Sequence, residues 1–296
     1  MARMRSVAWV AVVLATLAGA ACGQEPGEAP AATSGPTSTA TPEPAMPRAT
    51  ATMIPAEPST TAPAEPTAEP TGHPPAPPAD APAVPDDLLG ADVERIPTGD
   101  KVVALTFDAG ANADALPRIL ATLADEGVPG TFFLTGRFVR QFPEESRSIT
   151  AAGHRLGNHS VTHPEFTSLT SGQIQEEVRG AERDIVDFAA GDPRPLFRFP
   201  FGDRDARTIE AINNLGYVAV RWTVDTLGWQ GTSGGRSAEE VTQRVVSTAT
   251  PGQIVLMHVG SHPTDGTMLD ADALPDVIAA LRAAGYRFVT LDALLS

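Results

Sequence analysis

The sequence predicts one α/β domain with a parallel β-sheet in the C-terminal two thirds of the 296-residue chain. From Lys101 onward, short apolar runs alternate with amphipathic stretches of helical period, in about seven strand–helix units. Repeated alternation of this kind indicates parallel strands, because each helix returns the chain to the same end of the sheet. Seven units in roughly 200 residues allow a doubly wound sheet or a small, irregular barrel.

The elements follow one another with few gaps. The predicted strands are residues 101–107, 131–134, 154–157, 196–199, 217–222, 254–257 and 287–291. Between them, apolar residues recur every three or four positions, the period of a helix with one buried face. The predicted helices are residues 113–126, 144–152, 171–190, 205–215, 238–248 and 273–284. Gly127 is a stop signal for the first helix, and Thr170 or Ser171 is the expected cap of the third.

The first 95 residues lack the large side chains that a core needs. No Phe, Trp or Tyr occurs between Trp9 and Phe107, and 17 of the 28 prolines lie between Gly23 and Gly90. Residues 23–95 are therefore predicted to form a disordered Pro/Ala/Thr-rich linker, a semi-stiff spacer. The folded domain is expected to span residues 96–296.

Residues 1–22 have the layout of an export signal. Arg3 and Arg5 precede an apolar run that ends in small residues directly before Cys22, the only cysteine. Two cleavage patterns fit: a lipoprotein site that would leave Cys22 as the lipidated N-terminus, and an ordinary secretory site after Ala20. Both predict an extracytoplasmic protein, secreted or held at the membrane only by a lipid on Cys22, with the linker as a tether near the cell wall.

The composition excludes several classes of function. Residues 96–296 contain 25 acidic and 17 basic residues, so the domain has no electrostatic footprint for nucleic acid. A single cysteine excludes an intramolecular disulfide and a thiolate metal cluster. The predicted helices carry no spare apolar face, which favours a monomer.

Polar side chains collect at the predicted carboxyl ends of the strands, where parallel α/β folds bind ligands. These residues are Asp108, Asn158, His159, His163, Arg198, Asp225, Trp229 and His258, with His262 and Asp265 just beyond. Four of the six histidines fall in two of these loops. Together with the carboxylates, they predict a metal or acid–base site.

The residue types suit hydrolysis assisted by a metal ion. His159 and His163 are four positions apart, a spacing that can direct both imidazoles at one divalent ion. Asp108 has the chemistry of a general base acting on water, and His258 that of a general acid. Arg198 would keep Asp108 ionised and oriented.

Five short motifs, in this order, resemble those of the polysaccharide deacetylases of the NodB-homology type, carbohydrate esterase family 4. They are Thr106-Phe-Asp-Ala-Gly110 (T-F-D-D-G in the family), His159-Ser-Val-Thr-His163 (H-[ST]-x-x-H), Arg198-Phe-Pro-Phe-Gly202 (R-x-P-[YF]-G), Asp225-Thr-Leu-Gly-Trp229 (a partial D-x-x-D-W) and Leu256-Met-His258 (L-x-H). The resemblance covers residues 102–291. It implies a distorted (β/α)7-8 barrel and metal-dependent removal of N-acetyl groups from amino sugars of a cell-wall polysaccharide, either peptidoglycan or a chitin-like oligomer.

The resemblance also implies a role for each matched residue. His159 and His163 would hold the divalent ion, with zinc expected and cobalt or another divalent ion as alternatives. In the family's mechanism a metal-bound water attacks the acetamide, with Asp108 as base, His258 as acid and Arg198 positioning Asp108. A backbone N–H near Phe201 would help stabilise the oxyanion. The expected substrate-binding residues are Pro200, Phe201, Asp225 and Trp229.

Two departures from the family motifs fall at functional positions. Ala109 stands where the family has a metal-ligand aspartate, and Gly228 where it has the aspartate expected to orient the acidic histidine. Three outcomes stay open for the ion: Asp108 serves as base and ligand, another polar residue replaces the lost ligand, or the site is impaired. The candidate replacements are Asn112, Asp114 and Asp265, and Asp225 is a candidate partner of His258.

Two alternatives to a deacetylase of amino sugars also stay open. One is a catalytically impaired module that binds glycans through the same groove. The other is an enzyme that acts on a different acetyl ester or C–N amide.

Overall fold

A computed structural model describes residues 84–296 of the protein. The predicted export segment, Cys22 and the greater part of the predicted linker lie outside the described residues. Within residues 84–296, no helix has the length and apolar character needed to cross a membrane.

The described residues contain nine strands in one sheet, and every pairing between the strands is parallel. The strands are β1 Asp92–Val93, β2 Val102–Ala109, β3 Thr131–Leu134, β4 Arg155–Asn158, β5 Leu196–Phe197, β6 Val218–Val220, β7 Val224–Asp225, β8 Gln253–His258 and β9 Arg287–Phe288. Their order across the sheet is β1-β6-β5-β4-β3-β2-β8-β7, and β9 pairs with β2.

The two ends of this strand order are linked, and the sheet curls into a distorted barrel. Arg95, just after β1, forms an antiparallel bridge with Gln253 of β8. The Thr223 hydroxyl, just before β7, donates to the carbonyl of Glu94 at 2.7 Å. The predicted parallel α/β barrel is thereby confirmed.

Seven α-helices connect the strands within the described residues. They are α1 Leu116–Glu126, α2 Gly136–Gln141, α3 Pro143–Ala151, α4 Ser171–Asp184, α5 Ala206–Asn214, α6 Ala238–Ser247 and α7 Leu269–Ala283. The predicted stop of α1 is present, because Gly127 adopts the left-handed conformation (φ 61°) that glycine tolerates. Thr170 caps α4 in a capping box with Gln173. A π-helical turn, Ile185–Ala189, continues α4 almost to the predicted end at residue 190.

Several elements differ from the sequence-based predictions. Strands β1 and β7 have only two residues each and helix α2 only six, too few to produce a periodic apolar pattern. Val93 is buried and β1 pairs with β6, so residues 92–95 belong to the folded domain and not to the linker. Helix α7 begins at Leu269, four residues before its predicted start.

Strand β2 explains how the fold presents polar groups at one end. All eight residues of β2 are buried, and alternate side chains face opposite sides of the sheet. Val103, Leu105 and Phe107 pack with the large cluster formed by the helices, whereas Ala104 packs with the cluster inside the barrel. The same alternation turns Asp108 towards the interior at the carboxyl end of the strand.

Candidate active site

The strand register brings the polar residues to one end of the barrel. Asp108 and His258 are directly paired across β2 and β8. Asn158 ends β4 and is paired with Phe197 of β5, so the next residues, His159 and Arg198, are neighbours as well. Side chains that are far apart in the chain therefore meet above the carboxyl ends of four strands.

Arg198 is fully buried and fixes Asp108 from below. Its Nη1 donates to Asp108 Oδ1 at 2.8 Å and to the Thr106 hydroxyl at 2.9 Å. Its other nitrogens donate to the carbonyls of Val220 and Arg221. Because every branch of the planar guanidinium has an acceptor, Arg198 holds Asp108 in one orientation.

This contact also decides the charge of Asp108. Burial alone would raise the pKa of the carboxyl group, but the Arg198 guanidinium and, to a lesser degree, His159 and His258 outweigh it and lower the pKa below its ordinary value of 3.8. Asp108 is therefore ionised at neutral pH, as a general base must be.

His159 presents a free nitrogen to Asp108. Its Nδ1 lies 2.8 Å from the carbonyl oxygen of Arg198, and a carbonyl can only accept, so we assign the proton to Nδ1. The lone pair is then on Nε2, 3.5 Å from Asp108 Oδ2. Burial lowers the pKa of His159 and lowers that of His163 to about 4, so both rings are neutral at neutral pH. The His163 ring stands edge-on to that of His159, with 4.8 Å between centroids.

Glu177 of α4, which the sequence analysis did not single out, anchors the loop between the two histidines. Its carboxylate accepts hydrogen bonds from the backbone N–H groups of Val161 and Thr162, both at 2.8 Å, and from the Thr162 hydroxyl at 2.7 Å. An acidic residue on a partly exposed helix face gives no sequence signal for this contact.

Backbone strain concentrates around the site. Five residues other than glycine have positive φ in residues 84–296: Ser160, His163, Ala190, Phe201 and Leu227. All except Ala190 lie in the loops that follow β4, β5 and β7. Left-handed conformations cost of order 1–3 kcal/mol for such residues and collect at functional sites. The strain thus points to the same end of the barrel as the side chains.

His258 contacts a carboxylate that the sequence analysis did not name. Its Nδ1 lies 3.6 Å from Oδ2 of Asp270, the second residue of α7, and its backbone N–H donates to the same oxygen at 2.9 Å. Burial disfavours the charged imidazolium, but Asp270, Asp108 and Asp225 outweigh this effect and raise the pKa of His258 above 6.5. The candidate partner Asp225 instead accepts from the backbone N–H of Leu227 at 2.8 Å.

The three candidate replacements for the lost metal ligand are engaged elsewhere. Asn112 exchanges hydrogen bonds with the backbone of Ser261, and Asp114 accepts from the Ser261 hydroxyl. Asp265 accepts from the backbone N–H of Ser233 at 2.6 Å and from the Thr267 hydroxyl at 2.6 Å. These residues fasten loops at the rim, and within residues 84–296 none of them forms a hydrogen bond or ion pair with His159 or His163.

The donor atoms suit a divalent ion but do not form a complete ligand set. No group of three His, Cys, Asp or Glu side chains is arranged as a metal site in the described part of the chain. The methyl group of Ala109 is buried and offers no donor. Two ligands of a tetrahedral zinc ion lie about 3.4 Å apart, given metal–ligand bonds of about 2.0–2.1 Å. The 3.5 Å between His159 Nε2 and Asp108 Oδ2 matches that spacing, so these two atoms fit as ligands of one ion.

A pocket of about 600 Å3 opens above Asp108. Seven of the nine predicted site residues line it: Asp108, His159, His163, Phe201, Asp225, Trp229 and His258. Arg198 and Pro200 lie buried beneath it. Phe201 is 69% and Trp229 49% exposed, which is unusual for side chains of this size. Flat aromatic faces beside polar groups suit the apolar faces of sugar rings.

Arg137 is a further lining residue that the sequence analysis missed. It is exposed at the start of α2, and its guanidinium makes no hydrogen bond or ion pair with other residues in the 84–296 range. Arg137 could not be singled out from the sequence because helix α2, with six residues, is too short to be predicted.

Comparison with known proteins places this chain in a family. Residues 95–220 match the sequence profile of the polysaccharide deacetylase family. The peptidoglycan-N-acetylglucosamine deacetylase of Bacillus cereus is 33% identical over 189 residues, which are 64% of this chain and 66% of that protein. The peptidoglycan-N-acetylmuramic acid deacetylase PdaA of Bacillus subtilis is 31% identical over 198 residues, 67% of this chain and 73% of that protein.

Solved structures include both active and inactive relatives. A Bacillus anthracis protein described as a pseudoenzyme of carbohydrate esterase family 4 is 31% identical, with a TM-score of 0.60 over 67% of this chain and 66% of that one. A mutant pseudoenzyme of the same family, with restored enzymatic activity, is 32% identical with a TM-score of 0.60 over 67% of this chain and 68% of that one. Fold similarity alone therefore does not decide between activity and its loss.

Proposed function

The chain belongs to the polysaccharide deacetylase family, the NodB-homology family of carbohydrate esterase family 4, and from this premise we propose that it removes N-acetyl groups from amino sugars of a cell-wall polysaccharide. The observation that carries the proposal is the pairing of an ionised, Arg198-held Asp108 with His258 across β2 and β8, on the floor of one pocket. A base and an acid that flank one cavity are what amide hydrolysis needs.

The proposed reaction transfers one proton at each side of the acetamide. Asp108 accepts a proton from the attacking water as the new C–O bond forms. His258 donates a proton to the amide nitrogen as the C–N bond breaks, which releases acetate and a free amine. A backbone N–H near Phe201 donates to the oxygen that becomes negative. The opposite pKa shifts of Asp108 and His258 supply the charges that both steps require at neutral pH.

The two histidines are proposed to hold a divalent ion, with zinc as the first candidate. His159 and His163 would bind through neutral imidazoles, and Asp108 Oδ2 is the nearest carboxylate oxygen to His159. When bound, such an ion would supply Lewis-acid chemistry at the acetamide carbonyl. Because Ala109 provides no ligand, we expect weaker binding than in a site with three dedicated residues.

Arg137 favours peptidoglycan over a chitin-like oligomer as substrate. Muramic acid and its peptide carry carboxylates, whereas chitin oligomers carry none. An exposed guanidinium without a partner, on the wall of the pocket, can form a two-point hydrogen bond with such a carboxylate. The predicted export signal is consistent with a wall substrate outside the cytoplasm.

A glycan-binding module without catalysis is the second candidate, and Ala109 is the observation that favours it. The pocket, Trp229 and Phe201 would then bind the sugar while no acetyl group is removed. An enzyme for a different acetyl ester or C–N amide is the third candidate, which a panel of xylan acetates and small amides separates from the first.

Acetate release tests the proposal. Purified protein is incubated with peptidoglycan fragments and with N-acetylglucosamine oligomers, with added zinc or cobalt and with a chelator. We expect acetate from the peptidoglycan fragments, a slower reaction on the oligomers, loss with chelator, and none with Asp108→Asn. Binding of the fragments without acetate release under any divalent ion would contradict the proposal and support the binding module.

A further inference from the structure

Asp270 is held rigidly beside the proposed general acid. The side chain is only 4% exposed. Its Oδ1 accepts from the hydroxyl of the buried Thr226 at 2.7 Å, and its Oδ2 accepts from the backbone N–H of His258 at 2.9 Å. One donor follows β7 and the other ends β8, and together they fix both oxygens of the carboxylate, so it cannot turn away from His258.

The His258 imidazole has an unfilled hydrogen-bonding position on the side that faces Asp270, within the described residues. The buried Nδ1 makes no hydrogen bond within the described part of the chain, and Asp270 Oδ2 stands 3.6 Å from it. The other face of the ring lines the pocket. A small rotation of the ring would therefore place an N–H on Asp270 and leave the second nitrogen for the substrate.

The side chain of Asp270 occupies the space that a side chain at position 228 would need. A Cβ atom at Gly228 would overlap Asp270 Oδ1 and lie only 2.7 Å from its Cγ. The φ of Gly228 is not in the left-handed region, so the backbone does not demand glycine there. The carboxylate of Asp270 is what excludes a side chain at position 228.

We propose that Asp270 is the positioning residue of His258: it orients the imidazole and balances its positive charge from the start of α7, in the space that an aspartate at position 228 would otherwise fill. The inference rests on the proposed function only in naming His258 the general acid. The other charged or titratable groups that act on His258 are Asp108 of β2, Asp225 of β7, His159 after β4 and His163 beyond it.

Asp270→Asn separates this role from a merely structural one. The amide keeps an oxygen for one of the two donors but removes the charge. We expect kcat to fall by about 10- to 100-fold with little change in KM, and the alkaline limb of the pH profile to move to lower pH. The matched control is Asp272→Asn in the same turn of α7, whose carboxylate pairs with Arg118 near the surface. It is expected to keep the wild-type kcat and pH profile.

An exchange of the two positions gives a rescue test. Asp270→Gly removes the carboxylate, and Gly228→Asp in that background supplies one from the other loop. We expect kcat of the double variant to be at least tenfold higher than kcat of Asp270→Gly. Gly228→Asp alone is expected to lose stability because its side chain meets Asp270. Melting temperatures report whether each variant folds.

A histidine titration by NMR makes the test independent of turnover. His258 is assigned by comparison with His258→Gln, and we expect it to titrate at lower pH in Asp270→Asn than in the wild type. If the wild type releases no acetate but this shift is seen, the proposed function fails and the contact stands. An unchanged titration, or wild-type kcat and pH profile in a folded Asp270→Asn protein, would overturn the inference.

Discussion

Arg198 Nη1 donates to Asp108 Oδ1 at 2.8 Å although 90 residues separate the two in the chain. Both side chains are buried, Arg198 completely. The pair joins β2 to the loop after β5 and places a negative charge under the pocket. His159 and His258 both face Asp108, so this charge acts on both imidazoles.

Arg198→Gln is expected to lower the free energy of unfolding by about 3–5 kcal/mol, because it leaves the carboxylate of Asp108 buried without its counter-charge. Urea denaturation measures the change. In Asp108→Asn/Arg198→Gln the loss should be clearly smaller than the sum of the two single losses, since the uncompensated charge is gone. Strict additivity would mean that the ion pair does not couple the two residues.

The rate is expected to depend on pH in the sense set by Asp108 and His258. His258 must be protonated to donate, and its pKa is raised, so kcat/KM should be maintained through pH 6.5 and decrease only above it. Asp108 must be ionised, and its pKa is lowered below its ordinary value, so the acidic limb should be set by His163, whose pKa is about 4 and which loses the ion when it is protonated. An alkaline limb centred below pH 6.5 would contradict the role of His258.

Glu177→Gln is expected to loosen the loop that carries His163, because the backbone N–H groups of Val161 and Thr162 both donate to Oε2 and lose a carboxylate as their acceptor. A loss of about 1–3 kcal/mol in the free energy of unfolding is expected. Zinc affinity, measured by calorimetry, should weaken by about tenfold or more. The control is Glu176→Gln, an exposed neighbour on the same helix. Equal effects of the two variants would remove Glu177 from the account.

Trp229→Ala is expected to raise KM by about five- to tenfold with kcat nearly unchanged. The half-exposed indole at the pocket wall offers a stacking face worth about 1 kcal/mol to a sugar ring. Steady-state kinetics on oligosaccharides of increasing length measure the effect. Leu89→Ala, which truncates an equally exposed apolar side chain away from the pocket, is the control. A fall in kcat alone would show that Trp229 does not act through binding.

The positions of the candidate residues at the ends of single strands could be predicted from the sequence. Asp108, His159 and His258 directly end or follow predicted strands, and parallel strands bring their carboxyl ends together. The contact between Asp270 and His258 could not be predicted, because it depends on how the first turn of α7 packs against β8. The two-residue strands β1 and β7 could not be predicted either, because their residues form strands only where neighbouring backbones pair with them.

Ala109 leaves the site without one carboxylate that the family motif contains. The pseudoenzyme relative shows that members of this family can lose activity while the fold is kept. In this chain the residues proposed as base, acid, positioning arginine and metal ligands lie together at one end of the barrel, and Asp108 Oδ2 is at ligand spacing from His159 Nε2. Activity therefore requires that Asp108 compensates for the missing carboxylate.

The most direct measurement is acetate release from peptidoglycan fragments by the wild type, Asp108→Asn and Ala109→Asp, side by side with saturating zinc or cobalt. We predict that the wild type releases acetate well above Asp108→Asn, and that Ala109→Asp, if folded by its melting temperature, increases the rate by no more than about tenfold through tighter metal binding. A wild type indistinguishable from Asp108→Asn, together with an active Ala109→Asp, would contradict the account and identify the natural protein as a pseudoenzyme.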